Sequence, residues 1–105
     1  MMWIVIYSDT ATKDIKELDR QNQERIIQKI RWFSERTDPV AFATKLASPF
    51  AHLYRFRIGD YRAFFRIVDR KTIQVLLILR VKHRKNGVKE KYWRLILIYC
   101  GFVKS

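Results

Sequence analysis

Six basic side chains recur along residues 54–84 with the spacing of a phosphate-binding surface. Successive side chains of a β-strand point to opposite faces, so basic residues two or four positions apart share one face and the apolar residues between them share the other. Guanidinium and ammonium groups gathered on one face can hold phosphate oxygens through charge-assisted hydrogen bonds. By strand parity the set comprises Arg55, Arg57, Arg62, Arg66, Lys82 and Arg84.

An aromatic residue, Phe64, falls on the same predicted face as the basic residues. Basic residues with an interleaved aromatic suit single-stranded nucleic acid, because guanidinium groups bind phosphates and rings stack on bases. The solvated face of an antiparallel sheet in an ordinary basic protein gives the same pattern. The residues alone therefore leave both interpretations open.

Proton transfer near the basic end has one candidate in the sequence, His83, because imidazole titrates near neutral pH. Strand alternation turns His83 away from Lys82 and Arg84, and a partly buried histidine bonded to the backbone is the alternative. Arg57 is a poor general base, because a guanidinium group stays protonated in proteins. His52, which precedes the first basic strand, is the weaker histidine candidate.

The whole-chain charge also indicates an anionic partner. The 105 residues include 22 Lys and Arg against 10 Asp and Glu, which gives a formal net charge of +12. Such a charge favours nucleic acid, an anionic membrane surface or an acidic protein, without choosing among them. The one cysteine, Cys100, excludes an internal disulfide and fits a reducing cytoplasm.

Neither membrane insertion nor secretion is expected from the apolar segments. The run at residues 95–103 is too short to span a bilayer. The opening run at residues 1–7 lacks the basic n-region of a signal peptide. No Gly-rich phosphate loop or metal-ligand spacing occurs, so we expect neither a cofactor nor a bound metal. The sequence predicts a cytoplasmic protein without a membrane partner.

The elements that must position the basic residues form an α+β layout with the order β-α-α-β-β-β. Residues 3–7 predict an edge strand, and Ser8 or Asp9 caps a first helix that ends near Asp19. A second helix is predicted over residues 22–35, followed by an irregular connection to about Pro49. We expect the two helices to pack as a hairpin on one face of a mainly antiparallel sheet, with the other face open.

The finer pattern assigns faces within these elements. The first helix has Ala11, Ile15 and Leu18 on its apolar side, and its outward side is predicted to carry Lys13, Asp14, Lys16 and Glu17. The last strand, over residues 72–81, is apolar at nearly every position, which is typical of a central strand covered on both faces. Its polar end, including Arg80, is expected to emerge at the mouth of a groove.

The stretch from Leu53 to Arg84, which reads LYRFRIGDYRAFFRIVD before an apolar strand and VKHRK, resembles the RelE toxins of bacterial type II toxin–antitoxin systems, within the RelE/ParE superfamily. A strand ending in Tyr7-Ser8, a capped helix, a second helix and Lys45-Leu46 also fit that family. The resemblance covers about residues 3–86. It predicts a toxin domain over residues 1–86, with residues 87–105 as an atypical apolar extension of the same domain.

The resemblance implies a ribosome-dependent endoribonuclease that cleaves mRNA in the A site without a metal. In such enzymes the 2′-hydroxyl of the substrate attacks the adjacent phosphate, leaving a 2′,3′-cyclic phosphate and a 5′-hydroxyl. Arg62 matches the transition-state arginine and Arg84 the proposed acid, while Arg55 and Arg57 match residues that hold the backbone and assist deprotonation. The predicted catalytic set is Arg57, Arg62, Arg84 and His83; the predicted RNA-binding set is Arg55, Arg66, Lys82, Lys85, Phe64 and Tyr92.

The implied partners are a small acidic or amphipathic cognate antitoxin, the 70S ribosome and mRNA, with operator DNA bound only through the antitoxin. One departure from the family lies after Arg84, where family members continue to a tyrosine in a pattern like HRxxVY. Here that tyrosine is missing, and Tyr92 or Trp93 is the candidate substitute. The alternative is therefore a non-catalytic protein of this fold, either a ParE-like gyrase inhibitor or a degenerate toxin that retains antitoxin binding.

Overall fold

The computed structural model describes residues 3–70 and 73–84. Over these ranges the chain has an α+β fold, as predicted, with a mixed sheet and two α-helices. The elements are β1 (Ile4–Tyr7), α1 (Asp9–Lys16), α2 (Arg20–Ser34), a 3-10 helix (Pro39–Phe42), β2 (Thr44–Lys45), β3 (Tyr54–Ile58), β4 (Tyr61–Arg70) and β5 (Ile73–His83).

The sheet has five strands in the order β1-β5-β4-β3-β2. β1 runs parallel to β5 at one edge, and the remaining neighbours are antiparallel. The sequence predicted β1 as an edge strand and β5 as an internal one, which is confirmed. It missed β2 and the 3-10 helix within the connection, because two to four residues are too few to show a hydrophobic period.

Both helices begin at capping residues, of which the sequence predicted Ser8. Ser8 caps α1, and its Oγ accepts a hydrogen bond of 3.0 Å from the Ala11 N–H. The same hydroxyl donates to the Leu79 carbonyl at 3.0 Å, which fixes the start of α1 against β5. Asp19 caps α2, which therefore starts at residue 20, before the predicted residue 22. Within the described ranges no helix is long and apolar enough to cross a membrane.

The main core lies between the two helices and one face of the sheet, which we call the helix face. Ile26 and Ile30 of α2 are fully buried there. The Phe33 ring stacks on Phe56 at a centroid distance of 4.0 Å, and Phe56 stacks on Phe65 at 4.2 Å. This stack joins α2 to β3 and β4, so that it holds the strands that carry the basic residues in a fixed position.

The opposite face of the sheet, which we call the open face, is covered at its centre, contrary to prediction. Leu53, Phe64 and Leu79 form a second buried cluster, and Leu46, Phe50 and Leu77 pack against it. The segment that leads into β3 folds back over the sheet, with the Leu46 N–H bonded to the Leu53 carbonyl at 3.0 Å. Phe64 is only 4% exposed. The prediction that its ring lies open for base stacking is therefore wrong.

A bulge in β5 changes the register of the last strand. Phe65 lies opposite Ile78 and Phe64 lies opposite Arg80, so Leu79 is one extra residue on β5. Beyond the bulge, Lys82 lies opposite Arg62 and His83 opposite Tyr61. The bulge thus decides which residues at the end of β5 face the basic residues of β4.

Candidate nucleic-acid interface

Three cations form a row across β3, β4 and β5 on the open face, near the β3–β4 turn. Arg57 of β3 lies directly opposite Arg62 of β4, and Arg62 lies directly opposite Lys82 of β5. Like charges directly opposite each other destabilise an antiparallel sheet. We call Arg57, Arg62 and Lys82 the cation row.

Arg55 adds a fourth positive charge beside the row. Its pKa is lowered below the ordinary arginine value, first by burial and then by the charges of Arg62 and Arg57. Arg55 and Arg57 lie two residues apart on the same face of β3, and Arg62 lies beside them on β4. The three guanidinium groups therefore share one region of the surface. A bound anion would relieve their mutual repulsion, which is what a phosphate site requires.

Arg84 lies at the end of β5 and is held by the β3–β4 turn. Its N–H donates to the Asp60 carbonyl at 2.7 Å, and its Nε lies 3.5 Å from Asp60 Oδ1. Both side chains are about two-thirds exposed, at 60% and 63%, so the ion pair is weak and can exchange for another anion. The turn itself needs Gly59, whose φ of +59° favours glycine.

Lys82 and Arg80 share an acidic partner on α1. The Asp14 carboxylate accepts hydrogen bonds from Arg80 Nε at 2.7 Å and Nη2 at 3.0 Å. The Lys82 Nζ lies 3.8 Å from the same carboxylate. Two predictions are thereby corrected: Arg80 is bound to α1 instead of emerging at a groove mouth, and Asp14 is buried at 8% exposure instead of facing outward.

Arg66 is not part of the basic cluster. It lies four residues beyond Arg62 on β4, about 13 Å along the strand, and its strand neighbour is Leu77. It lines an apolar groove of about 360 Å³, and its Nε and Nη2 are shielded from solvent without a hydrogen-bond partner in the described part of the chain. The other lining residues are Ile4, Ile6, Val68, Ile73, Val75 and Leu77.

His83 lies on the helix face, away from the cation row. Its ring meets the Tyr61 ring edge-on at 5.2 Å, as the alternation of the strand predicted. The structure therefore does not bring His83 together with Arg62. The predicted RNA-binding residues Lys85 and Tyr92 lie outside the described residues.

Sequence reasoning missed two acidic residues and two cations that shape this surface. Asp14 follows Ala11 by three residues and precedes Leu18 by four, so it belongs to the apolar stripe of α1, which is the signal that could have revealed its burial. Asp60 was visible only as a turn residue. Arg25 and Lys29 of α2 line a groove of about 680 Å³ with Arg57, extending the basic surface around the hairpin.

The arrangement suits electrostatic stabilisation of a phosphate. Residues 3–70 and 73–84 contain no group of three or more His, Cys, Asp or Glu side chains placed to hold a metal ion. The cation row with Arg55 concentrates fixed positive charge on one region of the surface, where it can stabilise a bound phosphate. The chemistry that these residues can perform is thus binding of a nucleic-acid backbone and stabilisation of a transition state on it.

The sequence profile of the ParE toxin of type II toxin–antitoxin systems, parDE, matches residues 5–87. The chain belongs to this family. It is therefore a toxin of a type II toxin–antitoxin system within the RelE/ParE superfamily, which confirms the resemblance noted in the sequence. A comparison with curated protein sequences gives no match.

Solved structures of toxins from such systems share the fold. The RelBE2 toxin–antitoxin complex of Mycobacterium tuberculosis contains a chain 26% identical to this toxin, with a TM-score of 0.71 over 82% of this chain and 95% of that one. The YoeB/ParE toxin of Agrobacterium tumefaciens is 19% identical, with a TM-score of 0.60 over 76% and 97%. A mutant of E. coli toxin RelE in the free state is 17% identical, with a TM-score of 0.63 over 83% and 88%.

Proposed function

We propose that this toxin is a ribosome-dependent endoribonuclease that cleaves mRNA in the ribosomal A site and so inhibits translation. The observation that carries the proposal is the convergence of Arg57, Arg62 and Lys82 in directly opposed positions, with Arg55 beside them. Such a row reduces the stability of the sheet, so its presence favours a role that needs concentrated charge. Ribosomes and mRNA place this activity in the cytoplasm.

The proposed reaction is an attack by the 2′-hydroxyl of the substrate on the adjacent phosphorus. The P–O5′ bond breaks as the new P–O2′ bond forms, leaving a 2′,3′-cyclic phosphate; the 2′-hydroxyl loses its proton to water, and the 5′-oxygen takes up a proton. Arg62 lies between Arg57 and Lys82 and is placed to stabilise the charge of the phosphorane. Arg55 and Arg57 hold the backbone, because neither guanidinium is suited to accept the 2′ proton.

Arg84 is the proposed proton donor to the leaving oxygen, by its position in the family pattern. It has to leave Asp60 to reach a substrate, and the exposure of both side chains makes this exchange inexpensive. The released Asp60 carboxylate would lie beside the site and repel the phosphate unless it turns outward. We therefore expect substrate binding to change the environment of Asp60 as well as that of Arg84.

The second candidate is a ParE-like inhibitor of DNA gyrase, and the matching family profile favours it. A gyrase inhibitor has no need of Arg62 and Arg84 converging on one phosphate, whereas a ribonuclease does. The two candidates therefore differ in what substitution of Arg62 should do. They also differ in target, because one acts on translating ribosomes and the other on supercoiling.

The test incubates the toxin with programmed 70S ribosomes and, separately, with gyrase and relaxed plasmid, and maps mRNA ends and supercoiling. The proposal predicts cleavage in the A site with cyclic phosphate ends and unchanged supercoiling. The Arg62→Ala variant should cleave at least ~10²-fold more slowly. Arg20→Ala is the charge-matched control, because Arg20 is 91% exposed at the start of α2. Loss of supercoiling without cleavage would establish the gyrase alternative.

We further propose that a cognate antitoxin covers the apolar groove around Arg66. Several solved neighbours are complexes of a toxin with its antitoxin, among them the archaeal RelE–RelB complex of Pyrococcus horikoshii. Ile4, Ile6 and Ile73 are each 48% exposed along this groove, and the shielded guanidinium of Arg66 would gain a partner from an acidic side chain. An acidic amphipathic segment matches both features and the net charge of +12.

The antitoxin proposal is tested with the product of an adjacent small acidic open reading frame. Purified toxin and antitoxin should bind in calorimetry, and Arg66→Glu should weaken binding by on the order of 10-fold or more because a charge pair is replaced by repulsion. Arg20→Glu changes the net charge equally and serves as the control. Equal weakening by both substitutions would show that only the overall charge matters.

A further inference from the structure

The face on which β5 presents its last residues depends on one inserted position. Ile78 faces the helix side with Phe65, and strict alternation from Ile78 would place Arg80, Lys82 and Arg84 on the helix side as well. The extra residue Leu79 reverses the alternation, so that Lys82 instead lies opposite Arg62 on the open face. Without the bulge, the cation row would lose its β5 member.

Asp14 is bonded to β5 immediately after the bulge. Its Oδ2 accepts a hydrogen bond from the Val81 N–H at 3.0 Å and another from Arg80 Nε at 2.7 Å. The pairing of β1 with β5 ends at Tyr7 and Ile78, followed by a Ser8 N–H bond to the Ile78 carbonyl at 2.9 Å. In the described chain, the carboxylate of α1 thus takes the place of a neighbouring strand where β1 has stopped.

The contacts of Asp14 are too specific and too buried to be an incidental surface ion pair. The carboxylate side chain is 8% exposed and the Arg80 side chain 14% exposed. One carboxylate binds a guanidinium at two nitrogens, a backbone N–H and the nearby Lys82 ammonium, 3.8 Å away. These groups belong to Arg80, Val81 and Lys82, the three residues that follow the bulge. Asp14 therefore contacts each residue that restarts the alternation of faces after Leu79.

We propose that Asp14 is a positioning residue of the toxin, which holds the β5 bulge and thereby keeps Lys82 and Arg84 on the same face as Arg62. This inference rests on the proposed ribonuclease function for its effect on rate, but its effect on strand register is independent of that function. Asp14 acts through β5, and its side chain is only 8% exposed. Its loss should lower the rate of cleavage more than the affinity for ribosomes.

The structural arm of the test measures strand register by NMR. Wild-type protein should show backbone contacts between Arg62 and Lys82 and slow amide exchange at Val81. In Asp14→Ala we expect the Val81 amide to lose protection and the contacts of Arg62 to shift to a neighbouring residue of β5. Glu17→Gln, which removes one exposed acid from the end of the same helix, should leave both signals unchanged.

The functional arm measures single-turnover cleavage on programmed ribosomes. A displacement of about 1 Å at the site can slow a reaction by on the order of 10²-fold, so Asp14→Ala should approach that loss with little change in KM. Asp14→Asn keeps an acceptor for the Val81 N–H but loses the ion pairs, so its rate should lie between those of Asp14→Ala and wild type. If Asp14→Ala does not fold, Asp14→Asn carries the same two measurements.

The outcomes separate this proposal from the proposed function. Unchanged Arg62–Lys82 contacts and an unchanged rate in folded Asp14 variants would overturn the positioning role. A lower unfolding midpoint alone, with register and rate retained, would reduce Asp14 to a structural residue and would also overturn it. If wild-type toxin does not cleave mRNA, the ribonuclease function fails, and the NMR arm still decides whether Asp14 sets the β5 register.

Discussion

The repulsion within the cation row can be measured as a coupling free energy between Arg57 and Arg62. These two residues are directly opposed on β3 and β4, so their Cβ atoms are about 4.5–5.5 Å apart. Replacing either arginine by glutamine keeps hydrogen-bonding capacity and removes one charge. We expect each single variant to be more stable than wild type, which is unusual for substitutions in a folded protein.

The expected magnitude follows from the register. Two unit charges about 5 Å apart in water repel by roughly 0.8 kcal/mol, which is within the size of about 0.2–1 kcal/mol found for cross-strand charge pairs of opposite sign. Arg62 has a cation on both neighbouring strands, so Arg62→Gln should stabilise more than Arg57→Gln. The double variant should be less stable than the sum of the single effects by the coupling energy, about 0.3–0.8 kcal/mol.

The assay is urea unfolding of wild type, both single variants and the double variant at low salt and again at about 1 M NaCl. At about 1 M salt the screening length is only about 3 Å, so the coupling should fall towards zero. The Arg57/Arg66 cycle is the matched control, because Arg66 lies four residues along β4 opposite Leu77. A coupling energy near zero for Arg57 and Arg62 at low salt, or one equal to the control, would refute the cation row.

Three further predictions concern the parts of the fold around the site. Phe64→Ala should lower the free energy of unfolding by about 3–5 kcal/mol in urea titrations, because Phe64 is buried; a change in RNA affinity at unchanged stability would contradict this. Gly59→Ala should cost about 1–2 kcal/mol, since its φ is +59°, and an unchanged midpoint would show that the turn relaxes. Burial raises the pKa of Tyr7 above its usual 10.0, and the charge of Arg31 offsets part of this. The raised pKa adds to the free energy of unfolding below pH 10.0, and this contribution is lost as the pH rises through the pKa of Tyr7 in the folded state. Tyr7→Phe should therefore lose less stability than wild type between about pH 9 and about pH 11. Parallel losses in the two proteins would contradict the raised pKa.

The regular elements were predictable from the sequence because their signals are local. Period-two alternation around the Gly59-Asp60 turn marked β3 and β4, the Ser8 cap marked α1, and an apolar stripe marked α2. Parity along these strands was enough to place Arg55, Arg57 and Arg62 on one face. That part of the candidate site follows from strand geometry alone.

The rest depends on tertiary contacts that no local pattern encodes. Simple counting along β5 from Ile78 would place Lys82 on the wrong face; the parity set included Lys82 correctly, but only because of a bulge at Leu79 that the sequence does not show. The covering of Phe64 depends on a segment whose residues show no period. The apolar stripe of α1 could have revealed that Asp14 is buried, but its partner Arg80, 66 residues along the chain, shows in no local pattern.

The measurement that tests the proposed function most directly is single-turnover cleavage of ribosome-bound mRNA with chemical identification of the new ends. Wild-type toxin and Arg20→Gln should produce cuts in the A site with 2′,3′-cyclic phosphate and 5′-hydroxyl ends at equal rates. Arg62→Gln should be slower by at least ~10²-fold while remaining folded. Cleavage by Arg62→Gln at the wild-type rate would contradict the proposed role of the cation row. So would the absence of cleavage by a wild-type toxin whose expression arrests growth.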